Sequence, residues 1–227
     1  EESWKHSALH VMRGRLYLSD VDEYRDNTGN HNQLILLDAL SSFDSAIEYD
    51  RESGLAWLGR SRTLRYQGSL NEAEIALVRA RRLIPEHPSI PLEEAQLSMD
   101  LGKLDQANVM ISEASTQLQN NITIPFLKGL IAAKKGNLSE AQDLFTRTLE
   151  MDENHVRARL NRCSAALLRE ELGLALDDAN FLVENRPDLN LARLRRSEIL
   201  MNLGDWIEAD IELRRLLTKS PEYTMAL

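Results

Sequence analysis

Few residues in this chain have the types and spacing that metal binding requires. His6 and His10 are four residues apart, which places both imidazoles on one side of a helix, as in many zinc sites. Ser7 stands where a metalloprotease helix carries its catalytic glutamate, so this pair does not predict a hydrolase. We therefore predict that the two histidines bind no metal.

A calcium loop is the other metal site with a partial match. Asp20 and Asp22 begin like such a loop, but Tyr24 and Arg25 occupy the positions of the third ligand and of the glycine. We reject this site as well. The sequence predicts no metal centre.

The sequence also has few residues suited to nucleophilic catalysis or to phosphate binding. Cys163 is the only cysteine, which excludes an internal disulfide and a cysteine-based metal site. A catalytic thiol needs an activating partner, and the sequence places none near Cys163, so we interpret it as a small buried side chain. The glycines are too widely spaced for a phosphate-binding loop. We predict no catalytic residues, no cofactor and no enzymatic activity.

Charge and composition narrow the classes of partner. The 227 residues carry a net charge of −9, which argues against a general nucleic-acid-binding protein. No apolar stretch approaches the ~20 residues of a membrane-spanning helix. We predict a soluble protein, and both a cytoplasmic and a periplasmic location remain open. Arginine outnumbers lysine 21 to 6. Either a functional need for guanidinium groups or the base composition of the genome explains this excess.

A series of alanines recurs along the chain with a constant 34-residue period. Each alanine follows a large apolar residue by three positions, and most units have a glycine two residues before that apolar position. A period of this length predicts a stacked array of small units rather than one globular core. The alanine series comprises Ala39, Ala73, Ala107, Ala141, Ala175 and Ala209. The glycines are Gly68, Gly102, Gly136 and Gly204, and Glu170 replaces the glycine in one unit.

Two further sets of residues follow the same interval. Small residues occur at Ser61, Ala95, Gly129, Cys163 and Ser197, and large ones at Phe43, Leu77, Ile111, Phe145 and Leu213, with Ala179 a departure. Together with the alanine series, this pattern resembles the tetratricopeptide repeat (TPR) family. The resemblance implies an all-α fold, a right-handed superhelix (α-solenoid) of antiparallel helix pairs, with a binding function rather than catalysis.

The repeat divides the chain into six units of one solenoid domain over residues 1–227. The units cover about 4–50 with an insertion at 19–33, then 54–85, 88–119, 122–153, 156–187 and 190–221. Carboxylates on the predicted second helices, including Asp177, Asp178, Asp205, Glu208, Asp210 and Glu212, are expected to form a solvated outer face. Residues 222–227 look like the opening of a further first helix. We therefore expect either a fragment of a longer chain or self-association through an uncapped carboxyl-terminal end.

In TPR proteins the first helices line a concave groove that holds a partner polypeptide. The resemblance places ten residues of this sequence in such a groove: Arg62, Arg65, Tyr66, Gln96, Phe126, Lys134, Arg157, Asn161, Arg195 and Asn202. Arginine forks beside amide groups suit the backbone and acidic side chains of a peptide, so a protein or peptide partner, acidic in character, is expected. The alternative interpretation is that these residues bind nothing and simply form a charged face that water solvates.

Two broader hypotheses remain from the sequence. The first is a non-catalytic scaffold that binds a partner protein in the groove. The second is a docking or regulatory domain of a larger enzyme or of a bacterial envelope assembly or export machine. A heat-shock co-chaperone is not expected, because only Asn161 and Arg195 match the carboxylate clamp of such TPR proteins, whereas Phe126, Leu130 and Leu191 occupy its other positions.

Overall fold

Helices account for all the regular secondary structure in the described residues of the computed structural model, which are 3–23 and 33–219. These ranges contain twelve helices and no strand. The helices are α1 (Ser3–Glu23), α2 (Gln33–Tyr49), α3 (Gly54–Tyr66), α4 (Leu70–Leu83), α5 (Ser89–Asp100), α6 (Leu104–Gln117), α7 (Thr123–Lys134), α8 (Leu138–Met151), α9 (Val156–Leu168), α10 (Leu172–Asn185), α11 (Asn190–Leu203) and α12 (Trp206–Lys219). The predicted all-α class and the repeated helix pairs are confirmed.

The chain divides into two compact units, Glu1–Gln119 with α1–α6 and Asn120–Leu227 with α7–α12. Within each unit, a first helix packs on the second helix of its own pair and on the second helix of the pair before it. First helices of consecutive pairs also touch, as α3 does with α5 and α9 with α11. The continuity of all six pairs as one solenoid stays a prediction.

The expected insertion and carboxyl-terminal segment fall largely outside the described residues. Helix α1 continues to Glu23, past the predicted start of the insertion at residue 19, and residues 24–32 are not described. Residues 220–227, which the sequence suggests open a further helix, also lie outside. Self-association through that end therefore stays a prediction.

The alanine series lies at the contacts inside the helix pairs. Five of its members are fully buried and Ala209 is 2% exposed. Opposite them lie the small residues of the first helices: the Ser61 hydroxyl donates to the carbonyl of Ala73 at 2.9 Å, and the Cys163 thiol donates to that of Ala175 at 3.3 Å. Small side chains on both helices allow the backbones to approach closely, which explains why both sets keep the same interval.

Two phenylalanines fill the space that glycines leave on neighbouring first helices. A Cβ on Gly59 would lie 2.2 Å from Cε1 of Phe43, and a Cβ on Gly129 would lie 2.7 Å from Cε1 of Phe145. Both rings are fully buried. The absence of a side chain at these glycines is therefore a packing requirement, because any larger residue would displace a core aromatic ring.

The turns inside the pairs share one backbone conformation. Gly68, Gly102, Gly136 and Gly204 have φ values of +80°, +76°, +82° and +85°. Glu170, the exception in sequence, adopts the same left-handed conformation with φ of 60°. Its amide donates to the carbonyl of Leu167 at 3.0 Å and the next amide, of Glu171, to that of Ala166 at 2.9 Å, as expected of a Schellman motif.

Two carboxylates that were expected in the solvated outer face are instead buried, so that expectation was wrong for them. Asp178 is 1% exposed, and Glu212, at the same position of the next pair, is 3% exposed. Arg162 binds Asp178 with two hydrogen bonds, from Nε to Oδ2 at 2.8 Å and from Nη2 to Oδ1 at 2.7 Å. Burial is tolerated because this planar fork satisfies both carboxylate oxygens.

The surroundings of Glu212 repeat the arrangement one pair later. Arg193 donates to Oε2 of Glu212 at 2.9 Å, Arg196 to Oε1 at 3.3 Å, and Arg215 to Oε1 at 2.9 Å. Arg159, the equivalent of Arg193 in the preceding pair, donates to Asp178 at 3.1 Å. Part of the arginine excess is therefore explained by internal neutralisation of buried acids.

Replacing Glu170 with glycine should stabilise the protein. An L-residue in the left-handed region carries a steric penalty that glycine avoids, although glycine loses more backbone entropy on folding. We expect Glu170→Gly to increase the free energy of unfolding by about 1 kcal/mol in urea denaturation. Gly136→Ala, at the same turn of the preceding pair, should be destabilising. A Glu170→Gly variant no more stable than the parent would contradict this account of the turn.

Candidate partner-binding site

The ten residues predicted to line a groove all lie on first helices. Four of them belong to the first unit, on α3 and α5, and six to the second unit, on α7, α9 and α11. The two groups have different surroundings.

In the first unit, the predicted residues converge on one acid, Glu93, which is not among the ten. Glu93 of α5 is fully buried, and Arg62 and Arg65 of α3 bind its two oxygens: Nε of Arg65 donates to Oε1 at 2.7 Å and Nε of Arg62 to Oε2 at 3.0 Å. Arg65 also donates to Oδ2 of Asp100 at 3.1 Å and to Oε1 of Gln96 at 2.9 Å. We call these five residues the Glu93 cluster.

The protonation of Glu93 follows from opposing effects. Burial alone would raise the pKa of its carboxyl, but the charges and hydrogen bonds of Arg65 and Arg62 outweigh burial and hold the pKa below its usual range. Glu93 is therefore ionised at neutral pH. The guanidinium of Arg65 also lies 4.6 Å from the ring centre of Tyr66, a cation–π contact that further fixes it.

The Glu93 cluster changes what the first unit offers a partner. The Arg65 side chain is 7% exposed, and that of Arg62 is 32% exposed. Both positive charges are already paired with an internal carboxylate, so they offer little attraction for an acidic peptide. The sequence placed Glu93 on the same helix face as Gln96, but the repeat interval carries no information on which charges pair.

In the second unit, Phe126 lies in the core rather than on the surface. It is 4% exposed, and its ring centre lies 6.1 Å from that of Phe145 and 4.8 Å from that of His155. The guanidinium carbon of Arg157 lies 5.0 Å from the Phe126 ring centre. The Phe126 ring therefore packs against the Arg157 guanidinium. Because the ring also packs against α8, little of it is left for a partner to contact.

His155 has a structural role that the repeat pattern does not indicate. Its Nδ1 accepts a hydrogen bond from the backbone amide of Ala158 at 3.1 Å and so caps the amino terminus of α9. Burial lowers the pKa of His155, although its backbone hydrogen bond and Asp152 oppose that shift. The neutral imidazole is the form that can accept this bond.

The remaining predicted residues of the second unit carry cationic and amide groups. Arg157, Lys134 and Asn202 are exposed, whereas Asn161 and Arg195 are half-buried. Asn161 donates to the carbonyl of Arg157 at 2.7 Å, and Asn202 donates to that of Glu198 at 2.8 Å. Both amides are thus held against their own helices with defined orientation.

Arg195 has a carboxylate neighbour on its own helix. It donates to Oε2 of Glu198 at 2.6 Å, and the two side chains are 34% and 33% exposed. An ion pair this accessible to water is worth little and can rearrange when a partner arrives. The named side chains of this unit, Lys134, Arg157, Arg195 and Glu198, therefore carry three positive charges against one negative charge.

Residues with catalytic potential are engaged in packing. Cys163 is fully buried, and burial first, then the charges of Asp178 and Glu198, raise the pKa of its thiol to about 12. His6 and His10 stack on Tyr49, with ring centres 5.2 Å and 5.5 Å away. Within the described ranges no group of three or more metal-ligating side chains is present. In the same ranges, every helix is too short or too polar to cross a membrane.

The Glu93 cluster predicts a pH-dependent stability. Glu93→Gln leaves Arg65 buried with only the more exposed carboxylate of Asp100 as its counter-ion, so we expect the free energy of unfolding at pH 7 to fall by about 3 kcal/mol. Because the folded-state pKa of Glu93 is depressed, this stabilisation is present above its ordinary value of 4.5 and is lost as the pH falls through the folded-state pKa. Urea denaturation of both proteins over that range measures the difference.

The matched control is Glu150→Gln, on the exposed side of α8. It should change stability by less than about 0.5 kcal/mol at any pH. If Glu93→Gln behaved like this control, the carboxylate would not hold the two arginines as described.

Part of the chain matches a known family, and its fold is similar to that of several solved structures. A family model described as "Tetratricopeptide repeat" matches residues 126–190. A search of curated protein sequences gives no match. Among solved structures, the chain is similar to a protein of the APC/C hetero-tetramer Cut9–Hcn1, with 19% identity and a TM-score of 0.74, over 84% of this chain and 38% of that one. The present chain therefore spans well under half of the length of that relative.

Two smaller proteins are similar over more of their length. PilW, a widely conserved type IV pilus biogenesis factor, is 18% identical with a TM-score of 0.73, and the match covers 95% of each chain. YrrB, described as a TPR protein with an unusual peptide-binding site, is 23% identical with a TM-score of 0.50, over 81% of this chain and 88% of that one. At these identities the similarity shows the fold. The family match lies within the second unit, and helix pairs of the same kind are present in both units, about six in all.

Proposed function

We propose that this protein is a non-catalytic scaffold that binds a partner polypeptide on the first helices of its second unit, and that the bound segment is acidic. The observation that carries the proposal is the contrast in arginine use. Four arginines of α9 and α11 neutralise the buried acids Asp178 and Glu212, whereas Arg157 and Arg195 lie on the same helices outside those buried clusters.

The surroundings of Arg157 favour recognition over simple solvation. Its guanidinium lies over the Phe126 ring, which is itself fixed by core packing. A cation held on an aromatic face loses less side-chain entropy when it binds a carboxylate than an unrestrained lysine does. Arg157 can therefore present a pre-oriented planar fork to an acidic side chain.

The amides supply the second element that peptide recognition requires. Asn161 lies one helical turn from Arg157, and Asn202 lies one turn from Glu198, the ion-pair partner of Arg195. Asparagine side chains combine a donor with an acceptor and can pair with the backbone of an extended peptide. Alternating cations and amides thus suit a polypeptide better than a free anion. The described peptide-binding site of YrrB is consistent with this use of the fold.

Removing Arg157 or Arg195 should weaken binding without unfolding the protein. We expect Arg157→Ala and Arg195→Ala each to reduce affinity for a fluorescently labelled glutamate-rich peptide about tenfold, because each removes a charge-assisted hydrogen bond. Fluorescence anisotropy at low and high salt measures the affinity, which should fall as salt rises. Thermal unfolding of each variant should match that of the parent.

Two variants sharpen this test. Arg147→Ala removes an exposed arginine from α8, a second helix, and should leave the affinity unchanged. Arg62→Ala disturbs the Glu93 cluster and should reduce stability more than affinity. Equal affinity of the parent, Arg157→Ala and Arg195→Ala would contradict the proposed site.

A second candidate function is a docking or regulatory domain of a larger enzyme or of a bacterial envelope assembly. The observation that favours it is the similarity to PilW over 95% of both chains. In that case the same first-helix face would bind a component of the assembly. Cross-linking in the source cells, followed by identification of the linked proteins, separates an envelope component from a soluble acidic partner.

A further inference from the structure

Helix α1 carries a strip of apolar side chains on its exposed side. Leu9, Met12 and Leu16 follow one another at intervals of three and four residues and are 63%, 67% and 66% exposed. This spacing aligns side chains on one face of a helix, so the three residues form a continuous strip about 10 Å long. We call these three residues the α1 stripe. None of the ten residues predicted to line a groove lies on α1.

Gly14 aligns α1 with the later first helices. A Cβ on Gly14 would lie 2.7 Å from Cζ of Phe43, and a Cβ on Gly129 would lie 2.7 Å from Cε1 of Phe145. Gly14 therefore takes the small-residue position of its pair, which Ser61 takes in the next pair. Residues of α1 thus correspond to the residues of α3 that lie 47 positions later in the sequence.

The positions of the α1 stripe are buried in the five later first helices. Those aligned with Leu9 are at most 8% exposed, and those aligned with Leu16 are at most 3% exposed. The first set comprises Ala56, Ile90, Ile124, Ala158 and Ala192, and the second comprises Thr63, Leu97, Ile131, Ala165 and Ile199. In α3, Ala56 shares a core cluster with Phe43 and Ala46 of α2. A helix packed on α1 as α2 packs on α3 would therefore cover the stripe.

Positive charges lie beside the α1 stripe. Lys5, Arg13 and Arg15 are exposed, and residues 3–19 contain no aspartate or glutamate. Asp38 of α2 is close enough to Arg13 for an electrostatic interaction. These four side chains carry three positive charges against one negative charge, in a protein whose net charge is −9. The stripe therefore favours a surface that combines apolar and acidic side chains.

The contact between α2 and α3 shows how an acid would pair with Arg13. Arg60, which is aligned with Arg13, donates from Nε to Oδ1 of Asp44 on α2 at 2.8 Å. The Arg13 guanidinium is already oriented, because it donates to the Tyr17 hydroxyl at 3.3 Å and lies 5.7 Å from the centre of that ring. A helix packed on α1 in the same way would place an acidic residue opposite Arg13.

The residue opposite Met12 must be smaller than its counterpart in α2. Met12 is aligned with Gly59, and the Phe43 ring fills the space that Gly59 leaves. Because the Met12 side chain takes up this space in α1, a phenylalanine opposite it would overpack the contact. A small residue there, followed directly by the acid, is the sequence that α1 would accept.

Two other occupants fit the stripe less well. A second copy docked through α12 in the same alignment would bring Arg214, which takes the position of Asp44, against Arg13. An anionic lipid surface would complement the charges, but the aligned residues of the later first helices all pack against protein. An acidic helix satisfies both the alignment and the charges.

We propose that the α1 stripe is the docking site for one acidic, amphipathic helix of a partner protein, which packs on α1 as α2 packs on α3. The partner helix carries apolar residues at intervals of three and four, a small residue opposite Met12 and an acid opposite Arg13. This site belongs to the first unit, and it does not depend on the segment proposed for the second unit.

Methyl NMR of the full chain with a helical peptide tests the proposal. The probe is the acetylated and amidated sequence of residues 33–49 with Phe43→Ala, because α2 supplies the surface that packs on α3. We expect saturable shifts of the Met12 methyl signal and none of the Met151 signal, at the end of α8. The same peptide with Asp44→Lys should bind about fivefold more weakly. No saturable shift of Met12, or equal affinity of the two peptides, would overturn the proposal.

Variants of α1 connect the signal to the stripe. Leu16→Glu should abolish binding, whereas Ile75→Glu, at an equally exposed position of α4, should retain it. Arg13→Glu should reverse the charge preference, so that the Asp44→Lys peptide becomes the tighter ligand. Thermal unfolding confirms that each variant is folded. Binding that persists in folded Leu16→Glu, or an unchanged preference in Arg13→Glu, would refute the site.

Two further measurements identify the other occupants. Co-sedimentation of the chain with phosphatidylglycerol vesicles that is lost in Leu16→Glu would assign the stripe to a membrane surface. A concentration-dependent shift of the Met12 signal without peptide would assign it to a second copy. Either result would overturn the proposal, and we expect neither.

The test is independent of the proposed function of the second unit. Arg157→Ala and Arg195→Ala should bind the helical peptide as the parent does. If the glutamate-rich peptide failed to bind while the helical peptide still shifted Met12, only the proposed function would fall.

Discussion

Close approach of two helices at small side chains is the constraint on which the rest of this structure depends. The alanine series supplies one side of each contact, and residues such as Ser61 and Cys163 supply the other, with their side chains donating to alanine carbonyls. No single pair can bury its apolar face alone, so each pair relies on the pairs it contacts for a core. Residues away from these contacts are consequently available for charges and for binding.

Buried acids commit several arginines to the fold. Glu93, Asp178 and Glu212 are almost fully buried, and each is neutralised by at least two guanidinium groups. A buried carboxylate without such partners would be strongly destabilising, so these arginines are committed to the fold. Arg157 and Arg195 lie outside these clusters, which is why the proposed binding of an acidic segment rests on the second unit.

Periodicity predicted the helix pairs well and the chemistry of their surfaces poorly. The pairs, the buried alanines and the glycine turns follow from local spacing and steric rules, which a sequence displays directly. Arg65 and Phe126 were placed on the correct helices, yet one is paired with Glu93 and the other is buried against Phe145. Such contacts join residues on different helices through tertiary packing, and a repeat interval does not specify their partners. At Glu170 the local pattern is broken but the structure is not: the turn keeps its left-handed backbone although the glycine is replaced.

Thermal unfolding of Ala141→Leu tests the central constraint most directly. Ala141 is fully buried between α7 and α8, so the larger side chain should overpack this contact and lower the free energy of unfolding by about 1–3 kcal/mol. Arg147→Leu, on the exposed side of the same helix, makes the matched comparison and should change the midpoint little. A lowered midpoint for the first variant alone is the predicted result. An unchanged midpoint for Ala141→Leu would mean that close approach at the alanines does not hold the pairs together.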